Sequence, residues 1–149
     1  MTWEARMQLP QDLQTAIARM LGEQNDAQGR DAARTVSERY RDKRRNSTEH
    51  MVSTTAAVAA YTATRMPATW AAICSVMGQV AALCPDWQPQ TLLDVGAGTG
   101  AAAWAAASVW PGLTHVTLAE RSEAMSRMGR ELAEHASHEV LRQAEWIFA

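Results

Sequence analysis

Apolar residues recur at helical spacing from the beginning of the chain. Leu13, Ile17, Met20 and Leu21 make one stripe, with Pro10 ahead of it and Gly22 just past it, so a first helix is predicted between them. After a polar break at Gln24 to Gln28, Ala33, Val36 and Tyr40 mark a second helix whose other faces carry Arg34, Glu38, Arg41 and Arg45. From Ser53 the alanine-rich string TTAAVAAYTAT predicts a third. Pro67 lacks a backbone donor and disfavours helical geometry in the residue before it, which predicts a break and then a fourth helix from about Ala68 to Leu83. Residues 1–85 thus read as a helical region, and Pro85, Asp86, Trp87 and Pro89 as the loop that closes it.

The pattern changes at Thr91. TLLDV reads as a short buried strand, GAGTG as a glycine loop, AAAWAAASVW as a helix, PG as a turn and HVTLAE as a second strand, together a βαβ unit. Ser122 is the expected N-cap of a further helix to about His135, with Ala124, Met128 and Leu132 on one face, and AEWIFA opens a third strand. Residues 86–149 then hold the first half of a doubly wound parallel sheet and too few residues for the second. The expected class is α/β, a helical N-terminal region followed by an incomplete Rossmann-like sheet with an exposed edge.

Composition narrows the function. With 149 residues, 47% hydrophobic and 20% charged, the chain has material for about one globular unit. A formal charge of -2 excludes wholesale coating of nucleic acid, so any contact with phosphate must come from a local patch. Cys74 and Cys84 match neither a redox pair nor a zinc knuckle, which fits a reducing compartment. His135 and His138 have helical ligand spacing, but no third ligand accompanies them, and no metal is expected. The first seventeen residues contain no apolar core of signal-peptide length. The uncharged run from Met66 to Pro85 reads as a buried soluble helix, too weakly apolar to span a bilayer, and no membrane partner is expected.

The glycine loop is where chemistry is expected. Gly96, Gly98 and Gly100, with Ala97 between the first two, lie directly between strand and helix, where residues without side chains let a ligand approach main-chain N–H groups. The spacing also satisfies the loose dinucleotide fingerprint, so spacing alone does not choose a ligand. Asp94, two residues earlier, would oppose a pyrophosphate but suits a ligand bearing an ammonium and a sulfonium. S-adenosylmethionine is such a ligand. Glu120, at the end of the second strand, can accept hydrogen bonds from both ribose hydroxyls, a feature shared with NAD sites.

A basic stripe is the second candidate. Arg30 to Arg45 contains seven of the fourteen basic residues, Arg30, Arg34, Arg39, Arg41, Lys43, Arg44 and Arg45, against Asp31, Glu38 and Asp42. Arginine forks onto phosphate oxygens, and Tyr40 could stack on a base, so the stripe can track an RNA backbone. A solvated helix face is the other reading, because each of the three acids has an arginine three residues on.

The string YTATRMPATWAA (Tyr61 to Ala72), followed by LLDVGAGTGAAAWAA and TLAERSEAM, resembles the Rsm22 family of methyltransferase-like proteins linked to the small ribosomal subunit. The resemblance implies a helical region docked on a class I methyltransferase core, S-adenosylmethionine held at Asp94, Gly96, Ala97, Gly98, Gly100 and Glu120, and the small subunit or its rRNA as partner. It lifts Arg34, Arg39, Arg41, Lys43, Arg44 and Arg45 as RNA contacts, and leaves Arg65 to Thr69 as a family signature without a chemical role. Trp70 stands where the family usually has tyrosine, and Thr99 where it often has proline, which predicts a less rigid loop. Some members carry an iron–sulfur cluster further along, and Cys74 and Cys84 match none of its ligands, so no cluster is expected here. Acceptor-binding residues of such enzymes follow the fourth strand. This chain is therefore expected to be a truncated form, inactive alone and pairing with a missing C-terminal segment, with a non-catalytic assembly factor as the alternative. The expected location is the bacterial cytoplasm, or the mitochondrial matrix if the source is eukaryotic.

Overall fold

The computed structural model describes residues 8–23 and 55–149, so the second predicted helix and the whole basic stripe lie outside the described residues. The elements are α1 (Gln11–Glu23), α2 (Thr55–Leu83), β1 (Thr91–Val95), α3 (Ala101–Val109), β2 (His115–Ala119), α4 (Glu123–Glu134), α5 (Glu139–Arg142) and β3 (Glu145–Ile147). Helix α1 includes Gly22 in its last turn rather than stopping before it.

The largest departure from the sequence reading is at Pro67. The third and fourth predicted helices are one continuous 29-residue helix with Pro67 inside it. Val58, Thr62, Met66, Trp70 and Cys74 explain why, since they recur every fourth residue straight through the proline and all are buried. Five turns of packing outweigh one missing N–H and a ring clash, which cost about 3 kcal/mol. The opposite side of α2 is not buried as expected. Val76, Val80 and Leu83 are exposed, and by length and composition the stretch Ala57–Leu83 reaches a mean hydropathy of 1.3, enough to cross a membrane. The run is thus more apolar than the sequence reading held, while its buried stripe packs on the rest of the fold.

Three parallel strands follow in the order β1-β2-β3, with Leu93 opposite Thr117 and Thr117 opposite Glu145. Parallel crossovers are right-handed as a rule, and two that step in the same direction along β1-β2-β3 put their helices on one face of the sheet. Leu92, Asp94, Val116 and Leu118 point to that covered face. Strand β1 was expected to be buried, and this is corrected. It lies at the edge of the three-stranded sheet, its residues alternate between exposed and half-buried, and Leu93 and Val95 are 63% and 75% exposed. Leu92 and Leu93 put apolar side chains on both faces, as a strand covered on both sides does, but among the described residues only one face is covered.

One core runs through the layers: Leu13 and Ile17 of α1, Met66 and Trp70 of α2, Trp104 of α3, Leu118 of β2, and Met128 and Leu132 of α4. Helix α1 is tied down at its start by Asp12, whose carboxylate accepts from the Ser137 backbone N–H at 2.6 Å and its hydroxyl at 2.7 Å. Partial burial raises the pKa of Asp12, but these bonds and one from the Leu13 N–H outweigh it, and the net shift is downward. Trp110 and Trp87 meet edge to face, ring centres 5.2 Å apart, and close the base of β1.

Candidate nucleoside-binding loop

Residues 96–100 connect the carboxyl end of β1 to α3. Gly96, Gly98 and Gly100 have φ of 76°, 58° and 88°, the left-handed region that a side chain makes costly, so the loop cannot be rebuilt with ordinary residues. The Gly96 and Ala97 N–H groups donate to the Ala119 carbonyl at 2.9 and 3.1 Å, which pins the loop to the end of β2, and the Gly100 N–H closes a turn on Ala97. No side chain caps α3, whose N-cap is Gly100. Its first-turn N–H groups therefore face the loop without a competing side-chain acceptor.

Glu120 sits where the sequence reading put it, directly after β2, but its carboxylate is already engaged. Oε2 accepts from the Gly98 N–H and Oε1 from the Ser122 N–H, both at 2.7 Å. One side chain thus fastens the middle of the loop to the start of α4, where Ser122 caps the helix through the Met125 N–H. Each carboxylate oxygen retains a further acceptor site, so the clamp and a bound diol are compatible. Asp94, on the covered face of β1, is half-buried. Burial pushes its pKa up first, and the nearby Glu120 charge adds to the rise. Two carboxylates converging on one loop favour a cation between them.

The loop is also held from α2, a contact the sequence reading left unassigned. Thr99 is buried, and its hydroxyl points at the Met66 sulfur, 3.5 Å away. Met66 belongs to the RMPAT signature, so that segment supports the loop from below. Thr99, where the family often has proline, thereby joins the loop to α2. Trp70, the other departure, is fully buried with its indole N–H lacking an acceptor among the described residues.

The match of residues 55–147 to the family model "Mitochondrial small ribosomal subunit Rsm22" covers α2, the loop and all three strands. The chain belongs to the Rsm22 family. It is 37% identical over 78 residues to the human "Ribosome assembly protein METTL17, mitochondrial", an alignment covering 52% of this chain and 17% of that relative. The chain therefore spans only a small part of this relative's length.

Of the expected site residues, Asp94, Gly96, Ala97, Gly98, Gly100 and Glu120 all meet at the carboxyl ends of β1 and β2. Arg34, Arg39, Arg41, Lys43, Arg44 and Arg45 lie outside the described residues. Cys74 is buried and Cys84 exposed, neither in a disulfide, and the described residues contain no cluster of three metal-ligating side chains. The sequence reading missed an open groove of about 430 Å³ between α1 and the end of α4, lined by Gln11, Thr15, Arg19 and His135. It depends on how α1 docks, which no local pattern encodes.

Proposed function

We propose that this chain is an S-adenosylmethionine-binding, methyltransferase-like portion of a protein that acts in assembly of the small ribosomal subunit. The observation that carries the reading is the pair Asp94 and Glu120, two carboxylates at a glycine loop that leads into a helix end with no side-chain cap. A dinucleotide's pyrophosphate would be repelled by that pair, whereas an ammonium and a sulfonium would be attracted. S-adenosylmethionine, when bound, supplies a methyl group on a cationic sulfur. Asp94 would face the cationic part, Glu120 would accept from ribose hydroxyls with its spare lone pairs, and the N–H groups of α3 would meet the carboxylate. Among the described residues no side chain is placed as a general base for an acceptor, so the proposal covers cofactor binding and not methyl transfer by this portion alone. The human relative's name supports the ribosomal side, and the Arg30 to Arg45 stripe supports rRNA as the contact.

Calorimetry with S-adenosylmethionine tests the reading. Binding should weaken in Asp94→Ala and Glu120→Ala, and it should fall on acidification. Because the folded pKa of Asp94 lies above 3.8, protonation removes the attraction at a pH above that value. Unchanged binding in both variants would defeat the site assignment. A second reading, an assembly factor that binds no cofactor, is favoured by the engagement of Glu120 with Gly98 and Ser122. It predicts no binding heat and salt-dependent RNA retention that weakens in an Arg41, Arg44, Arg45 triple alanine variant.

A further inference from the structure

Trp146 and Gly129 have no place in the sequence reading of the site, yet they meet directly beneath the glycine loop. The distal edge of the Trp146 indole lies under Gly100, where a Cβ would stand 3.6 Å from Cη2 and 3.7 Å from Cζ2. The same edge fills the space over α4 at Gly129. A methyl there would overlap Cη2, stand 2.6 Å from Cζ2 and come within 3.2 Å of the Thr99 carbonyl oxygen. Loop, indole and helix are thus stacked with no spare layer, and Gly129 is buried in the middle of a helix where glycine costs stability. Arg130 closes the outside. Its guanidinium lies 5.7 Å from the centre of the Trp146 ring, and it donates to the Trp146 carbonyl at 3.3 Å.

We infer that Trp146 and Gly129 are positioning residues that set the conformation of the loop at Thr99 and Gly100, and through it the affinity of the nucleoside site. The inference rests on the ligand reading above for its affinity arm only. The bond from Gly98 to Glu120 holds the middle of the loop and the indole edge holds its end. A helix-interior glycine is retained because the indole occupies the volume of its side chain. A tryptophan on the third strand thereby acts on a site formed by the first two.

A double-mutant cycle on the full chain tests this with two readouts, calorimetry with S-adenosylmethionine and amide hydrogen exchange. Trp146→Phe removes the distal ring edge, so exchange at Gly98 to Ala101 should quicken about tenfold and affinity should drop by a similar factor, with β2 amides unchanged. Gly129→Ala drives the indole into the loop and should do the same. In the double variant the new methyl fills the volume that the shortened ring leaves. Loop exchange and affinity should return to within about threefold of wild type, a rescue that unrelated destabilisations do not give. Additive losses, loop exchange unchanged by Trp146→Phe, or exchange quickened equally in β2 and the loop would overturn the inference. If the wild-type chain gives no binding heat, the ligand reading fails while the exchange cycle still decides this one.

Discussion

Replacing Glu120 by alanine removes both acceptors of the bonds that join Gly98, Glu120 and Ser122. Each is a bond from a backbone N–H to a carboxylate at 2.7 Å. Such charge-assisted bonds contribute about 1.5–3 kcal/mol each when buried. Here both sites are only partly buried, so water replaces part of the loss, and relief of repulsion with Asp94 offsets more. A net destabilisation of about 2 kcal/mol is expected from these opposing contributions. Glu120→Gln keeps one acceptor but turns an N–H toward a backbone N–H, so it should recover less than half of that. Urea denaturation followed by circular dichroism measures the first quantity. Amide exchange at Gly98 and Ser122 locates it, and an NMR titration of Asp94 should show its pKa falling toward 3.8 once the neighbouring charge is gone. If Glu120→Ala unfolds at the wild-type urea midpoint and leaves the Gly98 amide equally protected, the carboxylate does not hold the loop.

Trp70→Ala should cost about 3–5 kcal/mol in denaturant titration, and Trp70→Phe much less because the unpartnered indole N–H leaves with the larger ring; equal costs would contradict the packing described. Pro67→Ala should stabilise the chain by about 1 kcal/mol or more by restoring a helical hydrogen bond, read as a raised urea midpoint; a lower midpoint would mean that the proline is needed for the course of α2. Because Asp12 has a depressed folded pKa, its contribution is complete above 3.8 and is lost as pH falls through the folded value. Asp12→Asn should therefore lower stability by about 1 kcal/mol at neutral pH and flatten the acid limb of stability against pH. Identical acid limbs in the two proteins would show that the contact with Ser137 contributes nothing.

The strand–loop–helix order was legible because TLLDV before GAGTG and the alanine-rich AAAWAAASVW after it change period across the glycines. Ser122 was readable as a cap for the same local reason. Pro67 was misread because a rule about one residue was set against a stripe of five, Val58 to Cys74, whose spacing passes through it unbroken. TLLDV could not report its own exposure, since an apolar run states what a strand tolerates and not which neighbours arrive. Helix α5, four residues of EVLR, is too short for any period to register. The convergence of Asp94 and Glu120 followed from topology. The engagement of Glu120 with Gly98, the tether from Met66 to Thr99 and the wedge of Trp146 all depend on how distant segments close on one another.

The one-sided sheet has a practical consequence. Leu93, Val95 and Ile147 stand in water on strands whose backbones the sheet holds, so the purified chain should take up environment-sensitive dyes without unfolding and should self-associate as its concentration rises. Lysine in place of Leu93 should restore monodispersity in light scattering and leave the opposite, helix-clad side undisturbed, making it the variant of choice for spectroscopy.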